Sequence, residues 1–201
     1  MMPDDHDPSK GKLRSCGKAL DGVELKVVDE EGNDLETGQI GEVISKSDLN
    51  MKGYWNKPEA TKESIVDGWF YSGDAGFFDQ EGYLFIHDRV KDMIVSGGEN
   101  IYPAEVENAL MSHNEILDAA VVGVPDDKWG ESVKGFVVIG ENSSLKEEDI
   151  ITYSRTQIAA YKCPKSIEFI KELPRNPSGK ILRRELRDPY WEGIDRNVSG
   201  N

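Results

Sequence analysis

A change of hydrophobic rhythm near residue 90 limits what this chain can fold into more than any other feature. Up to that point, short runs of alternating apolar residues are broken by turn residues, the period-two pattern of half-buried strands. Residues 23–28 alternate, Asp29-Glu30-Glu31-Gly32-Asn33 reads as a hairpin turn, and residues 39–46 read as the next strand. A second hairpin is predicted where residues 75–78 and 83–86 flank Asp79-Gln80-Glu81-Gly82. Beyond residue 90, strands and helices alternate. Met93-Ile94-Val95 is a short apolar run, and Pro103 stands where a helix can start, with Val106, Ala109 and Leu110 on one face. Residues 119–124 and 135–139 read as buried strands and residues 167–170 as a further one. Ser144-Leu145-Lys146-Glu147 reads as a capping box opening a helix to about Ala160, and residues 181–186 as a short basic helix. The fold class expected is α+β: a β-rich subdomain over residues 15–90, then a small α+β lobe with a central sheet over residues 91–188. The boundary falls near Asp88-Arg89-Val90-Lys91, with residues 1–14 loose and residues 189–201 a tail.

A chain of 201 residues supports one or two domains, and 37% apolar with 31% charged residues suits a wet surface. No run approaches the roughly 18–20 apolar residues of a membrane-spanning helix. The opening Met1-Met2-Pro3-Asp4-Asp5-His6-Asp7-Pro8 lacks the basic and apolar regions of a secretory signal. Cys16 and Cys163 cannot make a disulfide framework or a metal cluster, so a reducing cytoplasm is the expected compartment. A net charge of −14 argues against nucleic-acid or basic membrane-surface binding. The charge is uneven: 19 acidic against 10 basic residues in 1–90, 13 against 4 in 91–154, and 6 against 10 in 155–201. The basic tail could serve one anionic ligand, or be a solvated helix face.

Four motifs could carry chemistry. Gly68-Trp69-Phe70-Tyr71-Ser72-Gly73-Asp74 reads as a tight turn presenting a carboxylate, either to the vicinal hydroxyls of a ribose or to its own backbone. Asp88-Arg89-Val90-Lys91-Asp92 is a solvated edge, or holds a guanidinium over a sugar or phosphate. Ser96-Gly97-Gly98-Glu99 before Pro103 is a plain loop into a helix, or lets a ligand approach backbone N–H groups. Asn176-Pro177-Ser178-Gly179-Lys180-Ile181 puts a lysine on a mobile turn; it is not a Walker loop, because Ile181 stands where Ser or Thr would bind magnesium. His6, His87 and His113 are isolated, so no metal site is assigned.

Taken in order, the motifs resemble the C-terminal part of AMP-forming acyl-CoA synthetases, in the adenylate-forming superfamily with firefly luciferase and peptide-synthetase adenylation domains. The resemblance rests on Gly41-Glu42-Val43, Gly53-Tyr54-Trp55-Asn56-Lys57-Pro58-Glu59-Ala60-Thr61, Tyr71-Ser72-Gly73-Asp74, residues 88–107, Tyr161-Lys162-Cys163-Pro164 and Pro177-Ser178-Gly179-Lys180, and it covers residues 15–188. It implies that Asp74, Ile86, Arg89 and Lys180 bind nucleotide, with Asp74 and Arg89 at the ribose. It implies Lys91 as a hinge and Lys180 as the catalytic lysine of adenylation, meeting acyl carboxylate and α-phosphate. It implies Ser96, Gly97, Gly98 and Trp129 along the path of CoA, with Trp129-Gly130-Glu131 in a loop near it.

The departures bear equally on function. The family's phosphate loop and its magnesium-holding Glu have no counterpart here, and Glu99 stands where some relatives carry an arginine that meets phosphate. The resemblance therefore implies a fragment, inactive alone, of a fatty- or aryl-acid–CoA ligase whose N-terminal body is missing. The substrates implied are ATP (leaving as AMP), carboxylic acid and CoA, with Mg2+ held in the missing part, no nucleic-acid partner, no integral membrane segment, and an oligomer possible. Another adenylate-forming enzyme and a non-catalytic module remain as alternatives.

Overall fold

The computed structural model describes Asp5 and residues 7–194. His6 and residues 195–201, part of the predicted tail, lie outside the described residues. The chain divides into two compact units, one running to Val90 and the other starting at Lys91.

The first unit is built on an antiparallel sheet of β1 (Glu24–Val28), β2 (Gly41–Lys46), β3 (Ile65–Val66), β4 (Trp69–Phe78) and β5 (Leu84–Arg89), with the short helix α1 (Pro58–Ser64) before β3. The order is β1-β2-β4-β3, and β5 also pairs with β4, so the long strand β4 serves three partners, with β3 at its start and β5 at its end. Its two predicted turns share one device, an Asp that accepts backbone N–H groups two and four residues on. Asp29 takes Glu31 and Asn33 at 3.0 and 2.8 Å, and Asp79 takes Glu81 and Tyr83 at 2.9 Å each. One apolar cluster here is small: buried Val27, Val43 and Leu84, with Leu25, Leu35 and Phe78 against them, while Val28 and Ile44 are buried as well.

The opening expected to be loose is tied to this sheet where it is described. The Tyr83 hydroxyl donates to Asp5 at 2.6 Å, and buried Lys12 pairs with Asp79 and with Glu81. Cys16 N–H donates to Leu84 at 2.7 Å, and Leu84 returns a bond to Gly17 at 2.8 Å. Within residues 7–14 the anchor is Lys12, the one buried residue of the stretch.

The second unit folds around β9 (Gly130–Ile139), which pairs with β8 (Ile116–Asp126) along its whole length. β10 (Ser166–Phe169) joins β9 in parallel, while β6 (Ile94–Ser96) touches it at Gly130 and carries β7 (Glu99–Ile101) outward. Helix α2 (Pro103–Met111) starts on its proline and buries Val106, Ala109 and Leu110, as the spacing predicts. With Ile150 of α3 (Glu147–Gln157) it covers one face, packing on Ile94, Ile101, Val121 and Val137. The other face holds Ala120, Val122, Phe136 and Leu173, covered by Leu186 of α4 (Arg183–Arg187) and by Tyr190. A sheet buried on both faces explains the unbroken apolar run at residues 119–124.

Three boundaries move. The cap of α3 lies at Lys146, whose N–H donates to Asp149 at 3.1 Å, rather than at Ser144; the helix ends at Gln157 and a 3-10 turn covers Ala160–Lys162. Helix α4 begins at Arg183 rather than at 181. Past 188, Tyr190 and Trp191 are part of the lobe: Tyr190 donates to Glu168 at 2.8 Å and the Trp191 indole to the Gly123 carbonyl at 2.9 Å.

Candidate nucleotide and thiol-acceptor site

The sequence predicts a tight turn at Asp74, but β4 runs from Trp69 through it to Phe78. The turn-like signal of Gly73 is a β-bulge. Glu42 lies opposite Ala75 and Ile44 opposite Tyr71, so Val43 alone faces Ser72, Gly73 and Asp74. The excess backbone turns at Gly73, whose φ of +72° few side-chain-bearing residues adopt. The Ser72 hydroxyl donates to the Val43 carbonyl at 2.6 Å and accepts Asp74 N–H at 3.1 Å. Glu42 accepts Gly73 N–H at 2.9 Å. Burial, with the nearby Asp74 charge, pushes the Glu42 carboxyl above the usual range against the pull of that N–H.

Across β4 and β5, Asp74 is the register partner of Arg89, and their side chains form an ion pair at 2.8 Å. Both stay open to solvent, at 35% and 48% exposure, so the carboxylate keeps room to accept from a ligand. Ile86, exposed on β5 opposite Gly76, belongs to the same unit. Lys91 lies in the 3-10 turn Val90–Asp92, where the second unit begins.

In the second unit Ser96-Gly97-Gly98-Glu99 is neither a plain loop nor an open one. It is the two-residue turn of the β6–β7 hairpin, with Ser96 opposite Glu99 and φ of +63° and +85° at the glycines. Gly97 also lies under an indole: a Cβ there would stand 2.7 Å from the Trp129 ring, and Gly97 N–H donates to Trp129 at 2.9 Å. Trp129 is held by Asp126, which accepts the N–H of Lys128 and of Trp129 at 3.0 Å each. Those amides, Trp129 first, hold the Asp126 carboxyl below its ordinary value.

Ser96, Gly97 and Trp129 thus line one groove of about 420 Å³, with Arg155, Tyr161, Cys163 and Lys165 among its other walls. Gly98 and Lys180 are not among its lining residues. The sequence reading missed Arg155 and Lys165, whose separation from Trp129 along the chain left no local signal. It also placed Glu131 in a loop. Glu131 is buried in β9 and accepts Val95 N–H at 3.1 Å.

The turn carrying Lys180 is more ordered than a mobile loop. The Asn176 side chain accepts Ser178 N–H, the Ser178 hydroxyl and Lys180 N–H at 3.0, 2.8 and 2.9 Å. Arg175 bonds the Gly179 carbonyl at 2.7 Å and Asp118 at 2.6 Å. The backbone is pinned and the Lys180 side chain stands exposed.

Two arginines of the basic tail are held within the lobe, while Arg184 stays exposed. Arg183 binds Glu107 at 3.0 and 2.6 Å and reaches Asp92 at 3.6 Å, and Arg187 lies 3.9 Å from Asp92. Lys162 of the Tyr-Lys-Cys-Pro motif is likewise engaged, bonding Glu105 twice at 2.7 Å. Burial would lower its ammonium, but the Glu105 carboxylate outweighs it and the net shift is upward.

The two units match two parts of one enzyme family. Residues 1–55 match the AMP-binding enzyme family and residues 105–180 its C-terminal domain, and the chain belongs to this family. Its relatives include the fatty acid–[acyl-carrier-protein] ligase ScoC of Streptomyces coeruleorubidus, 46% identical over 99% of this chain and 38% of its own. The long-chain-fatty-acid–CoA ligase FadD13 of Mycobacterium tuberculosis is 45% identical over 89% of this chain and 35% of its own. Among solved structures, o-succinylbenzoate CoA synthetase MenE of Bacillus subtilis, in complex with the acyl-adenylate intermediate OSB-AMP, is 39% identical with a TM-score of 0.82. ATP-bound MatB of Rhodopseudomonas palustris is 36% identical with the same TM-score; each covers 90% of this chain and 37% of the neighbour. The chain spans little more than a third of the length of these relatives.

Proposed function

We propose that this chain is the C-terminal part of a carboxylic acid–CoA ligase. The whole enzyme joins a fatty or aryl acid to ATP, releases pyrophosphate, and passes the acyl group from AMP to the thiol of CoA. The observation that carries this reading is the Asp74–Arg89 pair on its bulge. A half-open carboxylate braced by a guanidinium can accept two vicinal hydroxyls side by side, as a ribose offers. Ile86 stands on the neighbouring strand as an apolar contact for the nucleotide.

Lys180 is the catalytic lysine in this reading. Its compact charge meets the negative charge that gathers as the acyl carboxylate attacks the α-phosphorus and pyrophosphate departs. Lys91 is the pivot, and the groove at Ser96, Gly97 and Trp129, with the neighbouring Gly98, receives the thiol-bearing arm. A swing about Lys91 lets one chain serve two half-reactions. Among the described residues no three His, Cys, Asp or Glu side chains are grouped as a metal site, so no magnesium ligand is assigned here. The enzyme is assigned to the cytoplasm; among the described residues no helix is long and apolar enough to cross a membrane. A carrier-protein thiol in place of CoA is the second reading, favoured by the likeness to ScoC over nearly the whole chain.

The test is acid-dependent pyrophosphate release. This chain alone is expected to release none, since a lysine without the rest of a site cannot orient the reactants. Joined to its N-terminal body it should form acyl-adenylate and then acyl-CoA. Release by the isolated chain, or no acyl-adenylate from the joined enzyme with any fatty or aryl acid, overturns the proposal.

A further inference from the structure

The bulge that offers Asp74 is held by side chains outside the Asp74–Arg89 pair, and one of them is costly to keep. Glu42 is a partly buried carboxylate beside a second carboxylate, an arrangement that burial and charge both disfavour. The sheet alone does not demand it, since strands pair through their backbones. What Glu42 does is accept Gly73 N–H at 2.9 Å. That amide belongs to the excess backbone opposite Val43, on the residue before Asp74. A carboxylate acceptor makes a stronger bond than a neutral one, and here it fixes the Ser72–Gly73 peptide, one peptide ahead of the one that carries Asp74.

Ser72 completes the clamp from the other side, joining the Val43 carbonyl at 2.6 Å to Asp74 N–H at 3.1 Å. Two side chains therefore fix both peptides flanking Gly73, the residue whose φ of +72° lets the strand depart from its register.

We propose that Glu42 is a positioning residue for the nucleotide: it locks the Gly73 bulge so that Asp74 meets the ribose hydroxyls without first being ordered by them. This inference rests on the reading of Asp74 as the ribose contact. Without the lock, binding must also order three residues of backbone, and the loss falls on nucleotide affinity rather than on the acyl or thiol substrates.

The experiment compares Glu42→Leu, Glu42→Gln and Asp74→Ala in the complete ligase. It reads KM for ATP, acid and CoA, kcat, and the thermal midpoint. Glu42→Leu should raise KM for ATP about tenfold, the loss of one charge-assisted bond, while the other two KM values stay within about twofold. Glu42→Gln keeps an acceptor oxygen at the same place and should recover most of the ATP affinity. Asp74→Ala should raise KM for ATP by at least as much as Glu42→Leu. If Asp74→Ala leaves KM for ATP unchanged, the ribose reading fails and takes this inference with it. If Asp74→Ala raises it and Glu42→Leu does not, the inference alone fails. It also fails if Glu42→Leu lowers the midpoint and impairs all three substrates alike, or if Glu42→Gln is as impaired as Glu42→Leu.

Discussion

In the first unit the candidate ligand contact is an irregularity of the backbone, three residues of β4 facing one of β2 in a sheet with a small apolar cluster at Val27, Val43 and Leu84. In the second, the catalytic candidate stands on a side-chain-braced turn beyond a sheet packed on both faces. The difference teaches where each unit can tolerate change. The first unit builds its site into its strand register, so a substitution near Asp74 acts through the backbone that presents the carboxylate. The second keeps them apart: Lys180 is exposed, and its removal leaves the core untouched.

The contrast breaks most readily at the cores. Leu110 is fully buried and Leu84 nearly so. Leu110→Ala should cost towards the top of the usual 2–5 kcal/mol range for such a cavity, and Leu84→Ala towards the bottom. Urea unfolding of each variant checks this, and equal losses would erase the difference in packing. Next in size is Lys180→Ala in the complete enzyme. It should slow acyl-adenylate formation on the order of a hundredfold or more, about 3 kcal/mol, and leave thioester formation from supplied acyl-adenylate nearly intact. Its thermal midpoint should match the parent. Equal slowing of both half-reactions would remove Lys180 from the adenylation step.

Gly97→Ala should cost about 1–2 kcal/mol, since the residue must keep a positive φ while its methyl meets the Trp129 ring. The indole resonance of Trp129 should shift; an unmoved resonance with parental stability would refute the packing. The smallest effect is a pH dependence. The folded state raises the Glu42 carboxyl, through burial first and Asp74 second, so it binds that proton more readily than the unfolded chain does. Stability from this group is present below the ordinary carboxylate value of about 4.3 and is lost as pH rises through the raised value. Glu42→Gln should flatten that decline, as melts across mildly acidic pH would record.

The legible parts of the sequence were those whose cause is local. An Asp two and four residues ahead of its partners makes a turn by itself, and Pro103 followed by Val106, Ala109 and Leu110 makes an amphipathic helix by itself. The misreadings share another cause. Gly73 and the pair Gly97-Gly98 both signal positive φ, but whether that means a loop, a bulge or a hairpin depends on strands elsewhere in the chain. The arginines of the tail read as spare charge because Glu107 and Asp92 lie far away in sequence. The family resemblance set Asp74 and Arg89 at one ribose, but their direct ion pair depends on strand register, which the sequence does not show.

The match to the C-terminal domain family stops at Lys180, but the lobe does not. Arg183 and Arg187 reach back to Glu107 and Asp92, and Trp191 caps a carbonyl of β8. In gene shuffling between relatives, a crossover at residue 180 would separate these arginines from the acids of their own parent. A crossover after Trp191 would inherit both sides of each pair from one ancestor, so the useful seam for recombining such lobes lies eleven residues beyond the one that similarity marks.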